Sequence, residues 1–173
     1  MTLRVFAAAL LAGGVLAAGQ AFAQAPNLDA VPDKMPFATP YGPSISMDRA
    51  NAVIAAGVAE AKKRGWDMNI AVVDGNGDLR AFGRMDNAQL ASVSISQHKA
   101  RVAARYRRPT KAFEEGVTKA GLNYLLTLDD VIASRGGIPL IEDGKVIGAV
   151  GCSGGTGSQD EAVCMAAAAT VNK

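Results

Sequence analysis

The chain has 173 residues, 49% of them hydrophobic and 20% charged, with a net charge of +2. So small a charge, with no long run of one sign, excludes an electrostatic grip on nucleic acid. Aromatic residues make up only 5%, so any core must be built from aliphatic side chains and alanine, and burial between subunits would add to it.

Residues 1–23 read as a secretory signal. Arg4 gives a positive start, Val5–Ala18 is almost wholly apolar, and Ala21-Phe22-Ala23 sets small residues before a cleavage point. The apolar run is shorter than the roughly 20 residues of a spanning helix. The expectation is a secreted or periplasmic protein, with no membrane insertion once the signal is removed. Residues 24–45 carry Pro26, Pro32, Pro36, Pro40 and Pro43 without hydrophobic period. They predict an extended N-terminal arm, free to lie on a neighbouring subunit.

The folded domain is expected over 46–173. Ser46 or Asp48 caps a helix to Arg64, with Ala50, Val53, Ile54, Gly57, Val58 and Ala61 on one face and Gly65 as its stop. Residues 67–74 and 79–84 form a hairpin around Asn76-Gly77. Asp86 or Asn87 then caps a helix over 89–106, broken at Pro109. Thr110 caps a short helix over 111–116, and 122–131 holds at most one turn. A second hairpin joins 138–142 to 145–151 through Asp143-Gly144. Pro139 lacks a ladder donor and puts its strand at an edge. Ser158 or Asp160 opens the closing helix over 161–170. Two hairpins among helices predict an α/β domain with a mainly antiparallel central sheet flanked by helices.

The strongest chemical signal is Ser153-Gly154-Gly155, which continues through Thr156-Gly157-Ser158 into a helix start. Such a loop can aim backbone N–H groups at an anion or an oxygen-rich ligand, or simply connect strand to helix. Gly151-Cys-Ser-Gly-Gly155 also has the G-x-S-x-G spacing of a nucleophile elbow. The only histidine, His98, precedes Ser153, so the Asp/Glu…His order of a hydrolase is missing and that reading is excluded. His98 itself is either a surface histidine or an axial ligand to haem iron. Arg84 can clamp a carboxylate or pair with Asp86 or Asp160; Lys99 can meet a core acid or a ligand. The basic run Lys99, Arg101, Arg105, Arg107 and Arg108 reads as a solvated helix face, with a patch for propionates or phosphates as the alternative. Cys152 and Cys164 leave open a disulfide, two buried thiols or a thiolate ligand to iron; the lack of a Cys or His partner at zinc spacing argues against a zinc site.

Val73-Asp-Gly-Asn-Gly-Asp78, Arg84-Met-Asp86, Lys99-Ala100, Pro109-Thr110, Gly136-Gly-Ile-Pro139, Asp143-Gly144, Gly148-Ala-Val-Gly-Cys-Ser-Gly-Gly155 and Gln159-Asp-Glu161 resemble the GlcG/HbpS family over about 46–173. That family includes extracytoplasmic haem-binding proteins and the C-terminal domain of PduO-type proteins. The resemblance implies a profilin-like fold, a homo-oligomer (often an octamer) and haem as cofactor, with haem degradation in some members. Cys152 stands where family members often carry valine. The expectation is an exported, oligomeric protein that sequesters or hands on haem. Arg84, Lys99, Ser153, Gly154 and Gly155 would hold the ligand's polar groups, and His98 the iron. The alternatives are an enzyme that degrades haem or acts on a small organic acid, with catalytic residues unassigned, and a non-catalytic accessory subunit of a periplasmic enzyme system.

Overall fold

The computed structural model describes residues 27–172. The secretory-signal expectation for 1–23, and the first residues of the arm, lie outside them. The elements are α1 (Met47–Arg64), β1 (Asn69–Val73), β2 (Leu79–Arg84), α2 (Ser92–Tyr106), α3 (Lys111–Thr118), a single 3-10 turn (Asn123–Thr127), β3 (Gly137–Glu142), β4 (Lys145–Ser153) and α4 (Gly157–Ala168). The strands form one antiparallel sheet in the order β2-β1-β4-β3. The α/β architecture with an antiparallel sheet is thus present, and Pro139 lies on the edge strand β3.

Strand pleating divides the core. Ile70 and Val72 of β1, with Val150 and Cys152 of β4, pack on Ala50 and Val53 of α1 and on Val163, Cys164 and Ala167 of α4. Ala71, Val73 and Ala149 point the other way, onto Ala100, Ala103 and Ala104 of α2. α2 lies unusually close to the sheet because Gly137 and Gly151 are paired across β3 and β4. A Cβ at Gly151 would overlap the Ser96 carbonyl, and one at Gly137 the Lys99 carbonyl.

Local sequence explains most helix ends. Ser46 caps α1, accepting the Arg49 N–H, and Gly65 ends it at φ 69°. Three expected caps differ. α2 starts at Ser92 rather than 89, without a side-chain cap; the segment before it is tied down because Asn69 Nδ2 donates to the Gln89 carbonyl at 3.1 Å. Thr110 precedes α3, but its hydroxyl accepts the Gly137 N–H at 2.9 Å and so fastens α3 to β3. α4 is capped by Thr156 in a reciprocal capping box with Gln159, which frees Asp160 for another task.

The arm does not reach away from its own chain at its C-terminal end. β1 stops pairing with β4 at Val73 opposite Ala149, leaving the first residues of β4 open on that side. Residues 40–45 fill the gap. Val146 N–H donates to the Pro40 carbonyl at 2.8 Å, and Ile45 N–H to the Ile147 carbonyl at 2.9 Å. Arg107 and Arg108 stack over Tyr41 and Phe37 at 5.5 and 3.8 Å.

Candidate functional site

One end of the sheet gathers most of the residues singled out above. Asn69, the first residue of β1, pairs with Arg84 on one side and Ser153 on the other. Directly opposed residues point to the same face, so the three form a row. Beyond it, the turns after α1, β2 and β4 surround a cleft. Its larger part, about 610 Å³, is walled by Val58, Trp66 and Met85, with Lys62 and Arg84 at its rim. A smaller part, about 350 Å³, shares Trp66, Asp67 and Asn87 with the first and continues to Gln89, Gly154 and Gly155. Arg84 and the glycine turn therefore border two neighbouring hollows that share Trp66, Asp67 and Asn87 as walls.

The glycine turn is not empty of charge. Gly154 N–H and Gly155 N–H both donate to Oδ1 of Asp160 at 3.0 Å. Oδ2 of the same carboxylate accepts from Lys99 Nζ at 2.7 Å. Lys99 is 1% exposed and Asp160 2%. The anion expected from solution is supplied by the protein's own side chain, and Lys99 is withdrawn from any ligand surface. Ser153 is likewise 4% exposed, and its hydroxyl donates to Ser92 Oγ at 3.0 Å. Of the proposed ligand-contacting residues, the cleft therefore presents Arg84 and the backbone of Gly154 and Gly155, but not the side chains of Lys99 or Ser153.

His98 lies elsewhere. It borders a separate hollow of about 340 Å³ on the outer side of α2 with Val93, Gln97, Arg101 and Asp130. Its Nε2 contacts the Asp130 carbonyl at 3.1 Å and Oδ1 at 3.2 Å. The Asp130 carboxylate also meets Arg101 at 3.6 Å and Arg105 at 3.2 Å. Of the basic run, only Arg101 and Arg105 form a partly exposed face neutralised by this one acid; Lys99 is buried, against the solvated-face reading. His98 and Arg84 share no cleft within one chain.

A second charge network sits where α3, the start of β3 and α4 meet. Arg135 donates from Nε to Glu114 Oε1 at 2.7 Å and contacts Glu161 at 3.4 Å; Lys111 meets Glu161 at 3.3 Å. The hydrogen bond from the Arg135 side chain holds the Glu114 carboxyl below the usual range. At the other end of α2, burial lowers the Arg108 guanidinium, which lies among Phe37, Phe113 and Tyr106.

Sequence reasoning missed Trp66 and Asn69 and gave Asp160 the roles of a helix cap or an ion-pair partner of Arg84, not of Lys99. Trp66 directly follows the glycine that ends α1, a place where an aromatic can face a cleft. The signal for Asp160 was Thr156-x-x-Gln159: a complete capping box leaves the next carboxylate free. The two cysteines form a disulfide with Cα atoms 5.6 Å apart, which settles the three-way alternative. Both are fully buried, and the bridge fastens the end of β4 to the second turn of α4. Among the described residues there is no group of three His, Cys, Asp or Glu able to hold a metal ion, and no helix long and apolar enough to cross a membrane.

Comparison with known proteins follows the same boundaries. A family model described as haem-degrading protein HbpS-like matches residues 45–169. Protein GlcG of Escherichia coli (strain K12) is 46% identical over 109 residues, covering 63% of this chain and 81% of GlcG. Among solved structures, the PduOC:heme complex superposes with a TM-score of 0.67 at 26% identity, covering 75% of this chain and 96% of that one. A double mutant of Streptomyces reticuli HbpS gives 0.70 at 26% identity, covering 86% and 100%. By fold, by the extent of the matched segment and by identity to GlcG, the chain belongs to the HbpS-like family.

Proposed function

We propose that this protein binds haem in the cleft between Trp66 and Arg84, as an exported, self-associating carrier. The observation that carries the reading is the combination in one cleft of the apolar side chains of Trp66, Val58 and Met85 with the cations Lys62 and Arg84. A porphyrin has apolar faces and two carboxylates at one edge, and it asks for that combination. The cleft volume of about 610 Å³ lies within the range of small-molecule sites. Trp66 and Met85 would hold the ring, and Arg84 and Lys62 its propionates. Bound haem supplies iron redox and ligand chemistry. The ligand types available in the cleft are the Met85 thioether and the side chains of Asp67, Asp86 and Asn87. Met85 Sδ also receives the Met68 N–H at 3.4 Å, which fixes its direction. His98 has no part in this cleft.

Relatives support the ligand: one solved neighbour is a heme complex, and the family is described as haem-degrading. Export is supported by the signal-like residues 1–23 and by the Cys152–Cys164 disulfide, a bond that persists in oxidising compartments. Self-association is supported by the exposed Tyr124, Leu126 and Leu128 beside α3. The test is a haemin titration of the mature protein. A saturable Soret band at micromolar haemin is expected; an absorbance equal to free haemin throughout would end the reading.

A further inference from the structure

Lys99 and Asp160 form the most deeply buried ion pair among the described residues, and burying both charges is costly. The chain around them is shaped to let them meet. Gly136 takes φ 115°, and a Cβ there would lie 2.8 Å from Asp160 Cβ and 3.2 Å from Lys99 Nζ. The pair then acts outward through contacts. Asp160 fixes the N–H groups of Gly154 and Gly155. Gly154 in turn packs directly on the Asp67 carbonyl and Met68, the residues that follow Trp66.

We propose that Asp160, held by Lys99, is an internal anion that sets the glycine turn and, through Asp67 and Met68, the Trp66 wall of the ligand cleft. Both are positioning residues, since neither side chain reaches the cleft. The inference deepens the haem reading and rests on the same cleft. It also assigns specificity: with its N–H groups taken, the glycine turn accepts no external carboxylate, and the ligand's acidic groups fall to Arg84 and Lys62.

The test replaces the internal anion by an external one. Asp160→Ala removes the carboxylate but leaves Gly154, Gly155 and Lys99 as donors, and formate is small enough to take its place. Three quantities are measured in sodium formate and in sodium chloride at equal ionic strength: Tm, the emission of Trp66 (the only tryptophan) and haemin affinity from the Soret band. Asp160→Ala should lower Tm, shift Trp66 emission and weaken haemin binding about tenfold, as expected for loss of charge-assisted bonds that hold one wall. Formate should restore all three saturably. It should do so neither in the wild type nor in the Lys99→Met/Asp160→Ala double variant.

Should Asp160→Ala not fold, Asp160→Asn keeps an acceptor for the glycine turn and strands only Lys99. Lys99→Met/Asp160→Asn should then regain Trp66 emission and haemin affinity relative to Asp160→Asn. Wild-type emission and affinity in Asp160→Ala, or formate rescue of Tm without rescue of emission, would overturn the proposal; so would an Asp160→Asn whose emission the double variant leaves unchanged. A wild-type protein that binds no haemin would defeat the haem reading alone, because formate-dependent Trp66 emission still reports the coupling.

Discussion

Two residues 61 apart in sequence, Lys99 and Asp160, meet at 2.7 Å in the interior. Removing one partner of such a pair leaves an uncompensated buried charge, at a cost of about 3–5 kcal/mol. Lys99→Met and Asp160→Asn should each lose stability on that scale in urea unfolding, and the double variant should lose less than the sum. A strictly additive double variant would show that the pair is not coupled. Gly136→Ala should cost about 1–3 kcal/mol by the same measurement, from its left-handed backbone and the crowding of the pair. Sequence reading offered Lys99 a core acid or a ligand, although it also counted it in a solvated basic run. It could not name the acid, because the partner is fixed by the meeting of α2 with α4, a contact no local pattern encodes. Ser153 shows the same limit: its motif spacing was readable, and its burial against Ser92 was not.

At the scale of elements, two fastenings hold α4. The Cys152–Cys164 bridge spans a separation of 12 residues. Its removal in Cys152→Ala/Cys164→Ala should cost about 2–4 kcal/mol, measured by urea unfolding beside the oxidised wild type. The Arg135 network is the other. Hydrogen bonding to Arg135 lowers the Glu114 pKa in the folded state. Its stabilisation is therefore complete above the unfolded-state pKa and is lost as pH falls through the lower folded value. Arg135→Met should flatten the acid-side fall of Tm, and an unchanged acid slope would show that Glu114 is not the group responsible. Both hairpins, the α1 cap and stop, and the edge place of β3 were readable, because turn glycines, an N-cap serine and a proline act locally. The starts of α2 and α4 were misplaced, because Asn69 holds Gln89 from across the sheet and Thr156 performs the capping expected of Ser158 or Asp160.

The whole molecule is organised by one register. By pairing Asn69 with both Arg84 and Ser153, the sheet brings three separate turns to one end and makes a cleft that no single motif announces. The turns were foreseen, but their convergence depends on β1 lying beside β4, a long-range pairing. Beside α3, the exposed Tyr124, Leu126 and Leu128 suit a subunit contact. Leu126→Asp should move the protein to a smaller species in sedimentation, while an unchanged profile would place the contact elsewhere.

In the proposed complex, haem lies against Trp66 with its acidic edge at Arg84 and Lys62, away from His98. Haemin affinity, read from the Soret band in Arg84→Glu, Lys62→Glu and His98→Ala, tests it most directly. Reversing either rim charge should weaken binding about tenfold or more, since each replaces an attraction to a propionate by a repulsion, and His98→Ala should bind haemin as the wild type does with the same band position. Wild-type affinity in both charge reversals, with a lost or shifted band in His98→Ala, would place haem at His98 and outside this cleft.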